Sequence, residues 1–420
     1  MIKQRLRTAV IASVYTSLAA SAFAANAAQK GDGAPSNRYV QVNLVANKRI
    51  YGPQLTVEPN MMNAWGIAIR PKGSGGHFWV TAKDVSYQYV GDVSVSNDID
   101  LQKLSITDVP YVKLPVGGDD AFATSVVFSG STDNFVITQE IDGVEPVTAP
   151  AKFLFASDGG IISGWTERKK DDATFDRSKV AKTVIDQSKE GAQFFGLAFN
   201  AAYDRLYAAN FGKNPKIEVF DGHFKPLDIA FDTPFDENEN GKVDPGEYAP
   251  FNIQSLTTPD GDHHIFVTYA KTKLCTPAGI KEGACKKGEI FAGEEDTSKP
   301  GQGRVVEFNE DGKMLTLWKD AGHLSAPWGM AFAPANFGAL SGKLLVANFG
   351  SGDIAAFDPQ THHFVDVVRD AQGKPVKIDG IWGLLFGNGV SLGDANALYF
   401  TSGPSDEKNG VFGSLRPVKK

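Results

Sequence analysis

The sequence predicts an all-β fold, a six-bladed β-propeller whose ring is closed by an N-terminal strand joining the C-terminal blade. Three observations carry this expectation. One six-residue motif recurs six times, each copy is followed by further short apolar runs, and no helical periodicity is sustained anywhere. The copies are "AWGIAI" at 64–69, "ATSVVF" at 123–128, "FFGLAF" at 194–199, "PFNIQS" at 250–255, "PWGMAF" at 327–332 and "IWGLLF" at 381–386. The third position is Gly66, Ser125, Gly196, Asn252, Gly329 and Gly383. Compact residues at one repeat position suit a strand crowded by its neighbours near a central axis.

A second apolar strand is expected after each copy: "HFWVTA", "NFVITQ", "RLYAAN", "HIFVTY", "KLLVAN" and "ALYFTS". Third strands are read in "KFLFAS", "KIEVFD", "RVVEFN" and "DIAAFD", and fourth strands in "KMLTLW" and "HHFVDVV". Three to four short antiparallel strands per repeat are what a propeller blade needs. A ring left open would present bare sheet edges. The alternating segment "RYVQVNLVAN", 38–47, is therefore expected to complete the blade formed by the C-terminal residues. The longest gaps between motifs, Ser125 to Gly196 and Asn252 to Gly329, mark blades that carry insertions.

Residues 1–24 read as a signal peptide. Lys3, Arg5 and Arg7 precede the apolar stretch "TAVIASVYTSLAA", and "SAFA" supplies an A-x-A cleavage pattern. The stretch is short for an uncleaved membrane span, which takes about 20 apolar residues. Residues 25–37 are expected to be a flexible leader, and 38–420 a single propeller domain. The mature protein is placed in the periplasm or the medium, with no membrane insertion after cleavage. Net charge is −7, and loss of three leader cations makes it more acidic still, which argues against nucleic acid as a partner. A small molecule, glycan or protein partner fits better, and a monomer is expected. Cys275 and Cys285 are the only cysteines and are expected to form a local disulfide pinning an insertion at 271–303. A metal site would need more ligands than this pair has nearby.

Parts of the chain resemble an uncharacterised family of secreted bacterial proteins. The resemblance lies in "NAWGIAI", "YAPFNIQ", "FVTYAK", the run from Ser325 through "PWGMAFAPANFGALSGKLLVANFGSGDIAAFDPQT", and "IDGIWGLLFGNG" with "ALYFTSGPSDEKNGVFG". Some members end in a PEP-CTERM sorting tail; after "LRPVKK" none is expected here. The resemblance implies a six-bladed propeller loosely similar to NHL-like and gluconolactonase-like propellers, and no established reaction.

"DENENGKVDPGE", 236–247, matches a twelve-residue EF-hand-type calcium loop. Asp236 stands at position 1, Asn238 at 3, Asn240 at 5 and Gly241 at the sharp turn. Lys242 would offer its carbonyl, Asp244 its carboxylate directly or through water, and Glu247 a bidentate carboxylate. Pro245 and Pro250 oppose flanking helices, so the reading is a lone structural Ca²⁺ loop between blades; the alternative is a polar turn. As the family resemblance implies, related chains usually lack this loop.

No phosphate loop, G-x-S-x-G elbow or H-E-x-x-H helix occurs. The channel mouth is the expected place for chemistry, with Asn63, Gln193, Asp379, Glu140, Asn210 and Asn348 as inner polar candidates and turn roles favoured for Asn210 and Asn348. Trp65, Trp328 and Trp382 read as blade-core residues. Two functions follow: an exported binding or scaffold propeller with a structural calcium, or a metal-dependent hydrolase of lactonase type with a second divalent ion in the channel. A purely structural envelope protein is a third.

Overall fold

The computed structural model describes residues 36–171 and 174–418. The expected signal peptide, 1–24, and all but the last two residues of the expected leader lie outside the described residues. Six sheets carry the six motifs as their innermost strands: Ile67–Ala68, Ala123–Phe128, Phe194–Phe199, Tyr248–Thr257, Pro327–Phe332 and Ile381–Phe386, here blades 1 to 6. Each inner strand contacts the next around the ring, and the sixth contacts the first, so the ring closes.

The compact third position has the reason expected of it. A Cβ on Gly329 would lie 2.3 Å from the Trp382 carbonyl oxygen, and one on Gly66 would lie 2.8 Å from the Val126 nitrogen. Each inner strand thus presses backbone to backbone on the next blade. Where the position is polar, its side chain bridges instead. Asn252 Nδ2 donates to the Trp328 carbonyl at 2.7 Å, and Ser125 Oγ accepts from the Leu197 N–H at 3.3 Å.

Closure follows the predicted route. Tyr39–Ala46 pairs antiparallel with Val411–Pro417, giving blade 6 the order Ile381–Phe386, Leu398–Ser402, Val411–Pro417, Tyr39–Ala46 and Thr56–Val57. Tyr39 stacks on Phe337 of blade 5 with ring centroids 4.4 Å apart and donates its hydroxyl to the Phe337 carbonyl. Ahead of that strand, Asn37 Nδ2 donates to Asp366 and to the Val367 carbonyl, which ties the end of the leader to blade 5.

Blade 2 corrects one strand assignment. "NFVITQ" is not its second strand; Phe153–Ser157, read in sequence as the third, holds that place beside Ala123–Phe128. Val136–Ile141 instead forms an outlying hairpin with Val144–Pro150. The physical difference is in the pattern: Val136–Ile141 alternates exposed and buried, whereas Phe153–Ser157 is buried throughout. A middle blade strand is covered on both faces and reads as a continuous apolar run.

The long insertion of blade 4 follows His263–Leu274. Cys275 and Cys285 are disulfide-bonded with Cα atoms 5.9 Å apart, and they enclose the helix Pro277–Glu282, capped by the Thr276 hydroxyl. The chain returns through Ile290–Glu295, which pairs back on His263–Leu274. Among the described residues no helix is long and apolar enough to cross a membrane.

Candidate functional site

Where six inner strands meet, the axis is occupied differently at its two ends. Near the strand starts, the second motif position supplies Trp65, Phe195, Phe251, Trp328 and Trp382, which gather in one buried cluster. Trp65 and Trp382 stack at 4.0 Å, Phe349 stacks on Trp382 at 3.9 Å, and Phe195 meets Phe251 at 5.4 Å. Blade 2 has Thr124 at this position, whose hydroxyl donates to the Phe194 carbonyl. Phe122, just before the strand, packs on the cluster in its stead. The Trp residues therefore do more than fill blades: together they plug the axis.

Toward the ends of the same strands the axis opens into a funnel of about 570 Å³. All six blades line it, with Ile67, Val127, Leu197, Met330 and Leu384 among its apolar walls. Polar groups line it as well, among them Arg70, Lys72, Asn200, Gln254, His263 and Asn388. Gln254 accepts from the Met330 N–H at 2.7 Å and donates back to its carbonyl at 3.1 Å. His263 meets the Ser255 hydroxyl and lies 3.4 Å from Glu310. Arg70, at the wall, pairs with Glu167 at 2.5 Å, and Arg177 pairs with the same carboxylate at 2.9 Å. Burial raises the Glu167 carboxyl, but the two guanidiniums outweigh it and hold it below its ordinary value. Trp328 of the plug forms part of the funnel floor.

The polar candidates read from sequence do not surround this funnel. Asn63 is fully buried at the plugged end with φ 47°, and its Oδ1 accepts from Trp382 Nε1 at 2.8 Å, so it orients the plug. Asn210 accepts from the Gln193 and Gly212 N–H groups and donates to Glu218; Asn348 accepts from Ser325 N–H and donates to Asp353. Both build turns, as the recurring "ANFG" suggested. Asp379 accepts from the Ser405 N–H, while Glu140 sits exposed on the outlying hairpin and not on an inner strand. Sequence reasoning looked at the starts of the inner strands and missed the funnel at their ends. A signal was present: the last three residues of five motifs, "IAI", "VVF", "LAF", "MAF" and "LLF", are apolar throughout.

The loop 236–247 lies before the blade 4 inner strand, at the plugged end, and Val243 packs against the aromatic cluster. Asp236 accepts from the Asn240 N–H at 3.1 Å and the Gly241 N–H at 2.7 Å. Gly241 takes φ 75°, the turn that position requires. Glu247, buried, accepts from the N–H groups of Glu237 and Asp244. Asn238 and Asn240 both turn their Nδ2 toward Asp244 Oδ2, at 2.6 and 2.9 Å, and Lys242 N–H donates to Asn240 Oδ1. Among the described residues, no group of three or more His, Cys, Asp or Glu is gathered so as to hold a metal ion, in this loop or in the funnel.

No family model matches the chain. An uncharacterised protein of Acanthamoeba polyphaga mimivirus is 27% identical over 360 residues, covering 85% of this chain and 76% of that protein. A second uncharacterised protein of the same virus is 31% identical over 214 residues, 51% of this chain and 49% of its own length. These relatives are viral and lend no support to a bacterial family with a sorting tail. Among solved structures, a protein of unknown function from Bacteroides thetaiotaomicron aligns with TM-score 0.42 and 10% identity, over 85% of this chain and 70% of that one. A gluconolactonase from Xanthomonas campestris aligns with TM-score 0.33 and 17% identity, over 63% of this chain and 81% of that one. At these scores neither carries an argument about function.

Proposed function

We propose that this protein is a binding propeller that takes a small organic molecule with an apolar body into the axial funnel. The observation that carries the reading is the contrast between the two ends of the axis. Six inner strands converge on a 570 Å³ funnel with apolar walls, and an aromatic plug closes its floor. A space of this size in which apolar walls meet polar groups is the form small-molecule sites take. The plug makes it a pocket with one mouth and not a conduit.

The lactonase-type alternative needs carboxylate and amide ligands around the axis. Asn63, Asn210 and Asn348 are instead committed to the plug and to turns, so the binding reading is preferred.

The loop 236–247 is proposed to hold one structural Ca²⁺ through Asp236, Asn238, Asn240, the Lys242 carbonyl, Asp244 and Glu247. The spacing and the turn at Gly241 support this reading. Turning each Asn amide about its last torsion would place oxygen where Nδ2 now faces Asp244, giving a set of oxygens that a hard cation would hold together. The ion would fix the insertion over the plug. The leader-type start of the chain supports a place outside the cytoplasm, in a periplasm or the medium, for the mature monomer.

Ser255→Trp tests the funnel, because Ser255 lines it and, among the described residues, its side chain bonds only to His263. A thermal-shift screen of small organic molecules should give stabilising hits with the wild type that Ser255→Trp loses. Hits retained in full by that variant would place binding elsewhere.

A further inference from the structure

We propose a second small-molecule site, in a cavity between blades 3 and 4, for a neutral compound with a compact apolar body and one hydrogen-bond acceptor. The cavity encloses about 320 Å³ and is separate from the funnel. Val219, Leu227, Ile229, Phe231, Phe235 and Tyr248 give it apolar and aromatic walls, and part of the 236–247 loop, including Lys242 and Val243, forms another side.

Tyr269 supplies the polar feature. It is only 4% exposed and lines the cavity, and its ring is held edge-on by Phe235 at 4.9 Å. Three tyrosines of the propeller core spend their hydroxyls inside the protein, Tyr39 on Phe337, Tyr207 on Glu310 and Tyr399 on Asp92, while that of Tyr89 is sealed from solvent without a partner. Tyr269 has no such partner among the described residues. Nor is its hydroxyl among the buried polar atoms sealed from solvent without a partner, as Thr268 Oγ1 and Trp65 Nε1 are. The Tyr269 hydroxyl therefore keeps some exposure, and the residue lines the cavity.

A ligand acceptor that takes the place of water on this hydroxyl gains the net value of one neutral hydrogen bond, about 0.5–1.5 kcal/mol. Burial holds the phenol far above its ordinary pKa, so it remains a neutral donor across physiological pH. Ionisable side chains of both signs, Lys216, Lys242, Glu218, Asp228, Asp232 and Asp236, also line the cavity, and a neutral ligand avoids the cost of desolvating a charge beside its apolar walls. An acceptor on an aryl or alkyl body meets both demands.

Acetophenone and ethylbenzene are the probes, alike in body and differing in the carbonyl. Ligand-observed NMR titrations on the mature protein should give saturable acetophenone binding that weakens on the order of 2- to 10-fold in Tyr269→Phe, as loss of one neutral hydrogen bond does. Ethylbenzene should bind the wild type and Tyr269→Phe alike. Leu227→Trp, which fills the cavity from its half-exposed edge strand, should abolish both, with circular dichroism confirming the fold. Ser255→Trp in the funnel should leave acetophenone affinity unchanged, which separates this site from the first. Absence of saturable acetophenone binding, equal acetophenone affinity in Tyr269→Phe, retention in Leu227→Trp or loss in Ser255→Trp would each overturn the proposal.

Discussion

His77 shows how the surroundings of one side chain become a property of the whole protein. It lies close to the Arg70–Glu167–Arg177 group, and burial, followed by the charges of Arg177 and Arg70, lowers its pKa to about 4. An unfolded histidine titrates near ~6.5. Between these values the unfolded chain binds a proton that the native one refuses, so stability falls as pH drops from ~6.5 toward ~4 and this contribution levels off below. His77→Gln should flatten that segment of a melting-temperature profile while leaving the neutral-pH value nearly unchanged. One equivalent of Ca²⁺ is expected in the purified protein, and chelation should remove it and lower the melting temperature by several degrees, since a ligand at 100 times its Kd adds about 2.7 kcal/mol. Asp236→Ala with Glu247→Ala should show no chelation effect. A wild type whose metal content and melting temperature ignore EDTA would contradict the site. The calcium-loop pattern could be read in the sequence because its positions are contiguous residues, 236–247. The role of Asn63 could not, because its partner, Trp382, is more than three hundred residues away.

At the scale of the element, the inner strand decides the architecture. Its third position must bring one backbone against the next, and the neighbours there are carbonyls and amides that cannot yield. Gly329→Ala should cost roughly 1–3 kcal/mol, the range for overpacking a filled interior. Gly118→Ala, at a position with open space and an ordinary φ, should be near neutral. Urea denaturation of the two variants checks the pair, and equal midpoints would remove the crowding argument. The repeat was readable because every blade meets this same constraint. The aromatic plug was only half readable. Five aromatics at one motif position were visible in the sequence, but whether they entered blades or axis depended on ring geometry. The "NFVITQ" strand went astray for a related reason. Its alternation marks a half-covered hairpin, while order along the chain suggested a blade strand.

The whole molecule is held by its closure. Val411–Pro417 gives one edge to Tyr39–Ala46, so removing the chain through Ala46 would bare a core strand in blade 6. Such a truncation should lose cooperative thermal unfolding or self-associate, as scanning calorimetry and light scattering would show; a cooperative monomer would argue against closure by this strand. The same closure creates the two unlike ends of the axis, one filled by rings and capped by the 236–247 loop through Val243, the other an open funnel. Crystallographic fragment screening of the mature protein tests this account most directly. Fragment density is predicted in the funnel, between the ends of all six inner strands and above Trp328. Density confined to the plugged face, with the funnel empty throughout the screen, would contradict it.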